Sequence, residues 1–231
     1  MDLISSKSNQ YIKLVKSLQD KKNRYINSLF PVEGDKFIFD ISAKGIVAKY
    51  LFSYIEEKPE QLKCENYIVV TRELFDYISD VRTPQTYLGL YSIPKNDIDK
   101  LSLEHNILLL ENIQNPNNLG ALVRSSVCAG ITEIILLGNC TDPYSSKSFR
   151  SSAGCVLNVN LYQAIDMDCI LTKLKINDYV IVGTHLAGDS NLIKIPDKFC
   201  LIIGNEGNGI SQHLKDNCDI LYKLPMKDDC E

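Results

Sequence analysis

The sequence predicts an α/β protein in two parts, a small α/β domain and then a larger one built on a parallel sheet. Three observations carry that expectation. From residue 107 on, apolar runs of strand length alternate with helical patterns. Several of those runs, "EIILLG" and "YVIVGT" among them, are apolar throughout, which suits strands covered on both faces. The stretch "PKNDIDKLSLEHN" (94–106) is polar and lies between two strand-like segments, so it reads as a connection between domains. The expected division is a first domain over 1–94, a linker over 95–106 and a second domain over 107–231.

In order along the chain, residues 6–28 are polar with apolar residues at 11, 12, 14, 15 and 18, the spacing of an amphipathic helix. "LFPVEGDKFIFDISAKG" predicts a short strand, a turn at Glu33-Gly34 and a helix running to Gly45. "IVAKYLFSY" (46–54) and "NYIVV" (66–70) are strand-like. "TRELFDYIS" predicts a short helix capped by Thr71, and "TYLGLYSI" (86–93) alternates like one more strand. In the second half the expected order is strand 107–112, helix 118–129, strand 132–137, a Ser-rich loop over 139–154 and strand 155–161. Helix 166–176, strands 178–183 and 199–203, helix 209–216 and strand 219–224 complete it.

Bulk composition narrows the class. At 231 residues, 45% hydrophobic and 23% charged, the chain is globular rather than disordered. No apolar run reaches the roughly 18 residues of a membrane span, and the start "MDLISSKSNQYIKLVK" lacks a signal-peptide core, so a cytoplasmic protein is expected. No two of the eight cysteines lie closer than twelve residues and the three histidines are scattered, so neither a metal site nor a disulfide framework is expected. Charge is uneven: residues 1–30 hold six Lys or Arg against two Asp, whereas residues 101–231 hold ten basic and fifteen acidic residues. A basic leading segment on an acidic body hints at a polyanionic partner, although a solvated helix face produces the same pattern.

The stretch with the most chemistry is "NPNNLGALVRSS" (115–126). Asn115, Pro116, Asn117 and Asn118 have turn chemistry, and Leu119, Leu122, Val123, Ser126 and Val127 then fall at helical spacing, with Arg124 on the second turn. Strand, polar turn and helix together put side chains and free N–H groups at the edge of a sheet. "FRSSAG" (149–154) places Arg150 beside hydroxyls and small residues. "LIIGNEGNGIS" (201–211) follows a strand with three glycines, two amides and an acid, and "LYKLPMKDDCE" (221–231) follows the last strand. "GNEGNG" is not the G-x-G-x-x-G of a dinucleotide fold, and no glycine fingerprint follows the first strand, which disfavours a nucleotide-binding oxidoreductase.

Together and in this order, "NIQNPNNLGALVRSSVCAG", "FRSSAG", "LIIGNEGNGIS" and "LPM" resemble the signature motifs of the SpoU (TrmH) family of RNA ribose 2′-O-methyltransferases, in the SPOUT superfamily. "FPVEGDKFIFDISAKG" is similar to the small RNA-binding domain that many members carry. The resemblance implies a parallel sheet ending in a trefoil knot, S-adenosylmethionine as cofactor, an RNA substrate (ribosomal rather than transfer RNA) and a homodimer. It implies Asn118, Arg124 and Glu206 as catalytic residues, with Asn118 capping its helix. It implies Thr184, Leu186, Gly204, Asn205, Gly207, Leu224, Pro225 and Met226 around the cofactor. Arg150, with Lys7, Lys13 and Arg24 of the basic leading segment, is expected to contact RNA. For Arg124 the choice stays open between a phosphate clamp, a general base and a surface pair with Glu206; the high pKa of arginine favours the clamp. In the family the last motif continues with Ser-Leu-Asn and a helix, which the resemblance places after Glu231. A non-catalytic RNA-binding protein on the same fold is the alternative.

Overall fold

The computed structural model describes residues 3–191 and 196–225. The chain divides into two compact units, Met1–Pro94 with Asp142–Gly154, and Lys95–Thr141 with Cys155–Glu231. Segment 142–154, which the sequence reading placed inside the second domain, packs with the first unit.

In the first unit, strands β1 (Leu29–Glu33), β2 (Ala48–Ser53), β3 (Cys64–Val69) and β4 (Tyr87–Ser92) form a sheet in the order β1-β4-β2-β3, with only β2 and β3 parallel. Helices α1 (Gln10–Ser17) and α4 (Arg72–Ile78) bury Ile12, Val15, Leu74, Phe75 and Ile78 against Phe52, Ile68, Leu88 and Leu90. The alternate residues of β4 face the other way, where Gly89 leaves room for Ile38 of α3 (Asp35–Ala43) and the ring of Tyr91. On this side Phe149 packs edge-on to Phe37 and against Phe30, whose ring also meets Tyr144. Phe149 and Tyr144 belong to segment 142–154, which therefore supplies core to a sheet more than fifty residues away in sequence.

The single helix expected over 6–28 is two helices, α1 and α2 (Lys21–Asn27). Asp20 caps the second by accepting from the Lys22 N–H, and Arg24 Nη1 donates to the freed carbonyls of Leu18 (2.7 Å) and Gln19 (2.9 Å). The chain bends because both new ends have partners.

In the second unit six parallel strands run in the order β10-β8-β9-β5-β6-β7. They are β5 (Ile107–Glu111), β6 (Glu133–Leu137), β7 (Asn160–Ala164), β8 (Val180–Asp189), β9 (Phe199–Ile203) and β10 (Ile220–Tyr222). β5 and β6 are buried at every position, as their unbroken apolar runs require. Helices α5 (Pro116–Cys128), α7 (Met167–Ile176) and α8 (Gln212–Asn217) connect them, while α6 (Ser146–Ser151) lies in the first unit. Two expectations need correction. The strand expected over 155–161 is a 3-10 turn, Cys155–Asn158, followed by β7; the apolar run opens after left-handed Ala153 and Gly154, and pairing starts only where the Asn160 N–H reaches the Thr132 carbonyl. Strand β8 continues to Asp189, which lies opposite Tyr222 across an irregularity in register. A knot is expected at this end of the chain, where residues 226–231 lie outside the described residues.

Candidate active site

From β5 the chain passes through α5 to β6 on one side; from β9 it passes through α8 to β10 on the other. β5 and β9 are hydrogen-bonded neighbours, so the loops leaving their carboxyl ends separate and open a crevice, the switch point where parallel sheets bind ligands. The loop after β5 runs through Asn112, whose φ of 54° turns the chain, to Asn115. Asn115 is the helix cap, accepting from the Asn117 N–H at 2.9 Å. Asn118 was expected to cap this helix. It lies instead in the first turn, because Pro116 takes the first helical position and so makes Asn115 the cap.

Freed from capping, the Asn118 side chain donates from Nδ2 to Glu206 Oε1 at 3.0 Å. The Asn115 N–H donates to the same oxygen at 3.3 Å, and Asn205 Nδ2 donates to Oε2 at 3.3 Å. Partial burial alone would raise the pKa of Glu206. Hydrogen bonds from its own N–H, the Asn118 side chain and the Asn115 and Gln114 N–H groups outweigh that, and the carboxyl sits below its ordinary value. It is thus held ionised at neutral pH.

Two cavities share Ile203 at the end of β9, and the smaller adjoins this junction. One, of about 370 Å³, is lined by Asn118, Ala121, Leu122 and Ser125 of α5 with Ile113, Ile203, Gly204 and Glu206. The other, of about 380 Å³, is almost wholly apolar and is bordered by Val182, Thr184, Leu201, Ile220, Tyr222 and Leu224. Ile203 lines both. Gly204 is fixed by its neighbours: a Cβ there would overlap the backbone of Gly209 and Ile210.

Residues 105–231 match the model of the SpoU rRNA methylase family, and residues 9–89 match an MRM3-like substrate binding domain. The chain belongs to the SpoU family. A 23S rRNA guanosine 2′-O-methyltransferase of Bacillus subtilis is 26% identical over 98% of this chain and 91% of its own length. The human mitochondrial rRNA methyltransferase 3 is 29% identical over 67% of this chain but only 39% of its own length. An AdoMet-bound rRNA methyltransferase from Sinorhizobium meliloti shares the fold, with a TM-score of 0.85 at 23% identity over 100% of this chain and 91% of that one.

Of the SpoU motif residues, Asn118 and Glu206 meet directly. Arg124 is exposed on α5, one turn beyond Ala121 of the smaller cavity, and among the described residues it forms no ion pair, with Glu206 or otherwise. Thr184 and Leu224 border the larger cavity, with the Thr184 hydroxyl donating to the Ile202 carbonyl at 3.1 Å. Leu186 and Leu224 stand 70% and 61% exposed, Gly207 and Pro225 are exposed, and Met226 lies outside the described residues. Lys7 and Lys13 are exposed, Lys7 lying 4.3 Å from the ring centre of Tyr77, and Arg150 is half-buried on α6. Arg24 does not fit an RNA contact: it is 5% exposed, its guanidinium spent on Asp142 and two carbonyls. Sequence reasoning missed Glu111. This buried carboxylate at the end of β5 accepts from the Ser211 N–H at 2.7 Å and ties the loop after β9 to the end of β5. A lone acid closing an apolar strand was its signal.

Proposed function

We infer that this chain is an S-adenosylmethionine-dependent methyltransferase acting on the ribose 2′-hydroxyl of ribosomal RNA, as a cytoplasmic homodimer. The observation that carries the reading is the hydrogen bond joining Asn118 and Glu206, one from each of two SpoU motifs, at the switch point of the sheet. The B. subtilis relative, alignable over nearly the whole of both chains, is named for this reaction on 23S rRNA.

The residues present fit the cofactor. The apolar cavity of about 380 Å³ lies in the usual range of ligand pockets, about 300–1,000 Å³, and shares Ile203 with the smaller cavity that Asn118 and Glu206 line. Thr184, Gly204, Gly207, Leu224 and Pro225 would hold it, with Leu186 over it. When bound, S-adenosylmethionine supplies an electrophilic methyl group on a sulfonium.

The protein's share is placement. Asn118 and Glu206 present a fixed amide and an ionised carboxylate beside the smaller cavity, where a ribose can be held. Glu206, held below its ordinary pKa, is a poor proton acceptor and a good hydrogen-bond acceptor. Arg124, exposed and without an ion pair among the described residues, is free to fork onto the substrate phosphate and aim the hydroxyl. The first unit adds RNA affinity through exposed lysines such as Lys7 and Lys13. The exposed Leu186 and Leu224 offer apolar surface for a second copy to cover.

Incubation with methyl-labelled S-adenosylmethionine and separated RNA classes tests the reading. Label should enter ribosomal RNA in preference to transfer RNA, and a dimer should sediment at micromolar concentration. No transfer to any RNA contradicts the enzymatic reading; a monomer contradicts the assembly alone. Among the described residues no helix is long and apolar enough to cross a membrane.

A further inference from the structure

We propose that Asn205 is a positioning residue: its side-chain amide clasps the loop after β9 and steers the Glu206 carboxylate onto Asn118. The inference rests on the proposed methyl transfer and deepens it.

Every polar group of Asn205 has a partner. Its N–H donates to the Gly209 carbonyl (3.0 Å) and its carbonyl accepts from the Gly209 N–H (2.9 Å), closing a five-residue loop with Glu206 inside it. The side-chain Oδ1 accepts from the N–H groups of Gly207 (3.0 Å) and Asn208 (3.1 Å), which fixes the loop's tip. From Nδ2 the amide donates to the Asn112 carbonyl (2.9 Å) in the loop after β5, and to Glu206 Oε2 (3.3 Å). One residue thus does two separable things: the acceptor shapes the loop, and the donor spans the two strand ends and grips the acid.

That grip matters because Glu206 is exposed, and a long exposed side chain is otherwise free to rotate. Its Oε1 is held by Asn118 and the Asn115 N–H while Asn205 holds Oε2, so the carboxylate is fixed from both sides. Among the described residues no charged side chain forms an ion pair with it. Its orientation therefore depends on neutral donors. The commitments of Asn205 place it behind the acid and leave its side chain little to offer a cofactor.

Aspartate separates the two jobs. Asn205→Asp keeps an acceptor for Gly207 and Asn208 but loses the donor, and sets a second negative charge beside Glu206. The test is a double-mutant cycle on the full chain with Asn205→Asp, Glu206→Gln and the pair, reading kcat, the KM for RNA, the Kd for S-adenosylmethionine and Tm. Positioning predicts that Asn205→Asp lowers kcat about tenfold or more with cofactor Kd nearly unchanged, and that it costs little further in the Glu206→Gln background. Additive losses, or a loss confined to cofactor Kd or Tm, overturn it. Wild-type kcat in Glu206→Gln overturns it together with the role of Glu206, while label transfer by the unaltered chain leaves the proposed function standing. A second readout needs no activity: solvent exchange of the Asn118 side-chain amide protons, assigned with Asn118→Ala, should quicken severalfold in Asn205→Asp. Unchanged exchange overturns the proposal whatever the enzyme does.

Discussion

Arg24 and Asp142, 118 residues apart, meet in a 2.6 Å salt bridge inside the first unit, their side chains 6% and 4% exposed. Tyr25 lends its hydroxyl to the same carboxylate at 3.2 Å, and burial, with that charge next, pushes its pKa well up. The pair fastens segment 142–154, with its SpoU motif Arg150, to the helix that also closes α1.

Arg24→Ala should therefore destabilise the first unit by about 3–5 kcal/mol, because it strands a buried carboxylate. Replacing both partners by apolar residues of similar size should cost much less. Urea unfolding of the three variants checks this. The same packing predicts that removing residues 1–94 leaves Asp142 and Phe149 without their partners, so such a truncation should aggregate rather than report on RNA binding alone.

Point changes are the cleaner probe of RNA contact. Lys7→Ala with Lys13→Ala removes two exposed charges and should leave Tm within a few degrees. The slope of log affinity against log salt should become shallower by about 1–2. Filter binding across a salt series measures it; an unchanged slope would move the RNA contact elsewhere.

Arg124 carries the third prediction. Arg124→Ala should fold, should still bind S-adenosylmethionine, and should lose at least about a hundredfold in turnover, about 3 kcal/mol of transition-state contact. Arg124→Lys keeps charge without the planar fork and should recover part of that loss with no gain at high pH. Were Arg124 the base, the lysine variant, with its pKa near 10.4 in the free side chain, should match or exceed the parent as pH rises. A pH–rate profile separates the two roles.

Much of the fold was legible because burial writes itself into apolar runs: β5, β6 and β9 are unbroken stretches, and the polar loops between them mark the switch point. Long-range polar pairs leave no such trace. Arg24 sits in a basic, helical stretch and looks solvated, and only its distant partner Asp142 makes it structural. The Ser-rich loop looked irregular because its contribution to the core rests on Tyr144 and Phe149 rather than on a periodic pattern. At the site, three asparagines before Leu119 are interchangeable by turn chemistry; Pro116 was the residue that could have told the cap, Asn115, from the amide that meets Glu206, Asn118. Motif order brings Asn118, Glu206, Arg124 and Asn205 forward as candidates, whereas the hydrogen bonds by which Asn205 and Glu111 span 93 and 100 residues are encoded in no local pattern.

Cysteine chemistry offers a check on the second unit. Burial, with Asp219 next, raises the Cys218 thiol to about 11 against the smaller opposing effect of Lys175, and burial raises the fully enclosed Cys200 further. Both raised thiols stay protonated at neutral pH and react slowly. Iodoacetamide at pH 8 should modify exposed Cys169 well before Cys218, with Cys218 gaining reactivity only as pH approaches about 11. Peptide mapping over time reads the order.

The central claim is that the methyl group lands on a ribose oxygen, and alkali reads that directly. A free 2′-hydroxyl is what lets base cleave the neighbouring phosphodiester, so a 2′-O-methylated nucleotide leaves an uncut dinucleotide. Ribosomal RNA labelled by this protein from methyl-labelled S-adenosylmethionine should, after alkaline hydrolysis, carry its label in dinucleotides, and Asn118→Ala should reduce that label sharply. Label recovered in mononucleotides would place the methyl on a base and contradict the account.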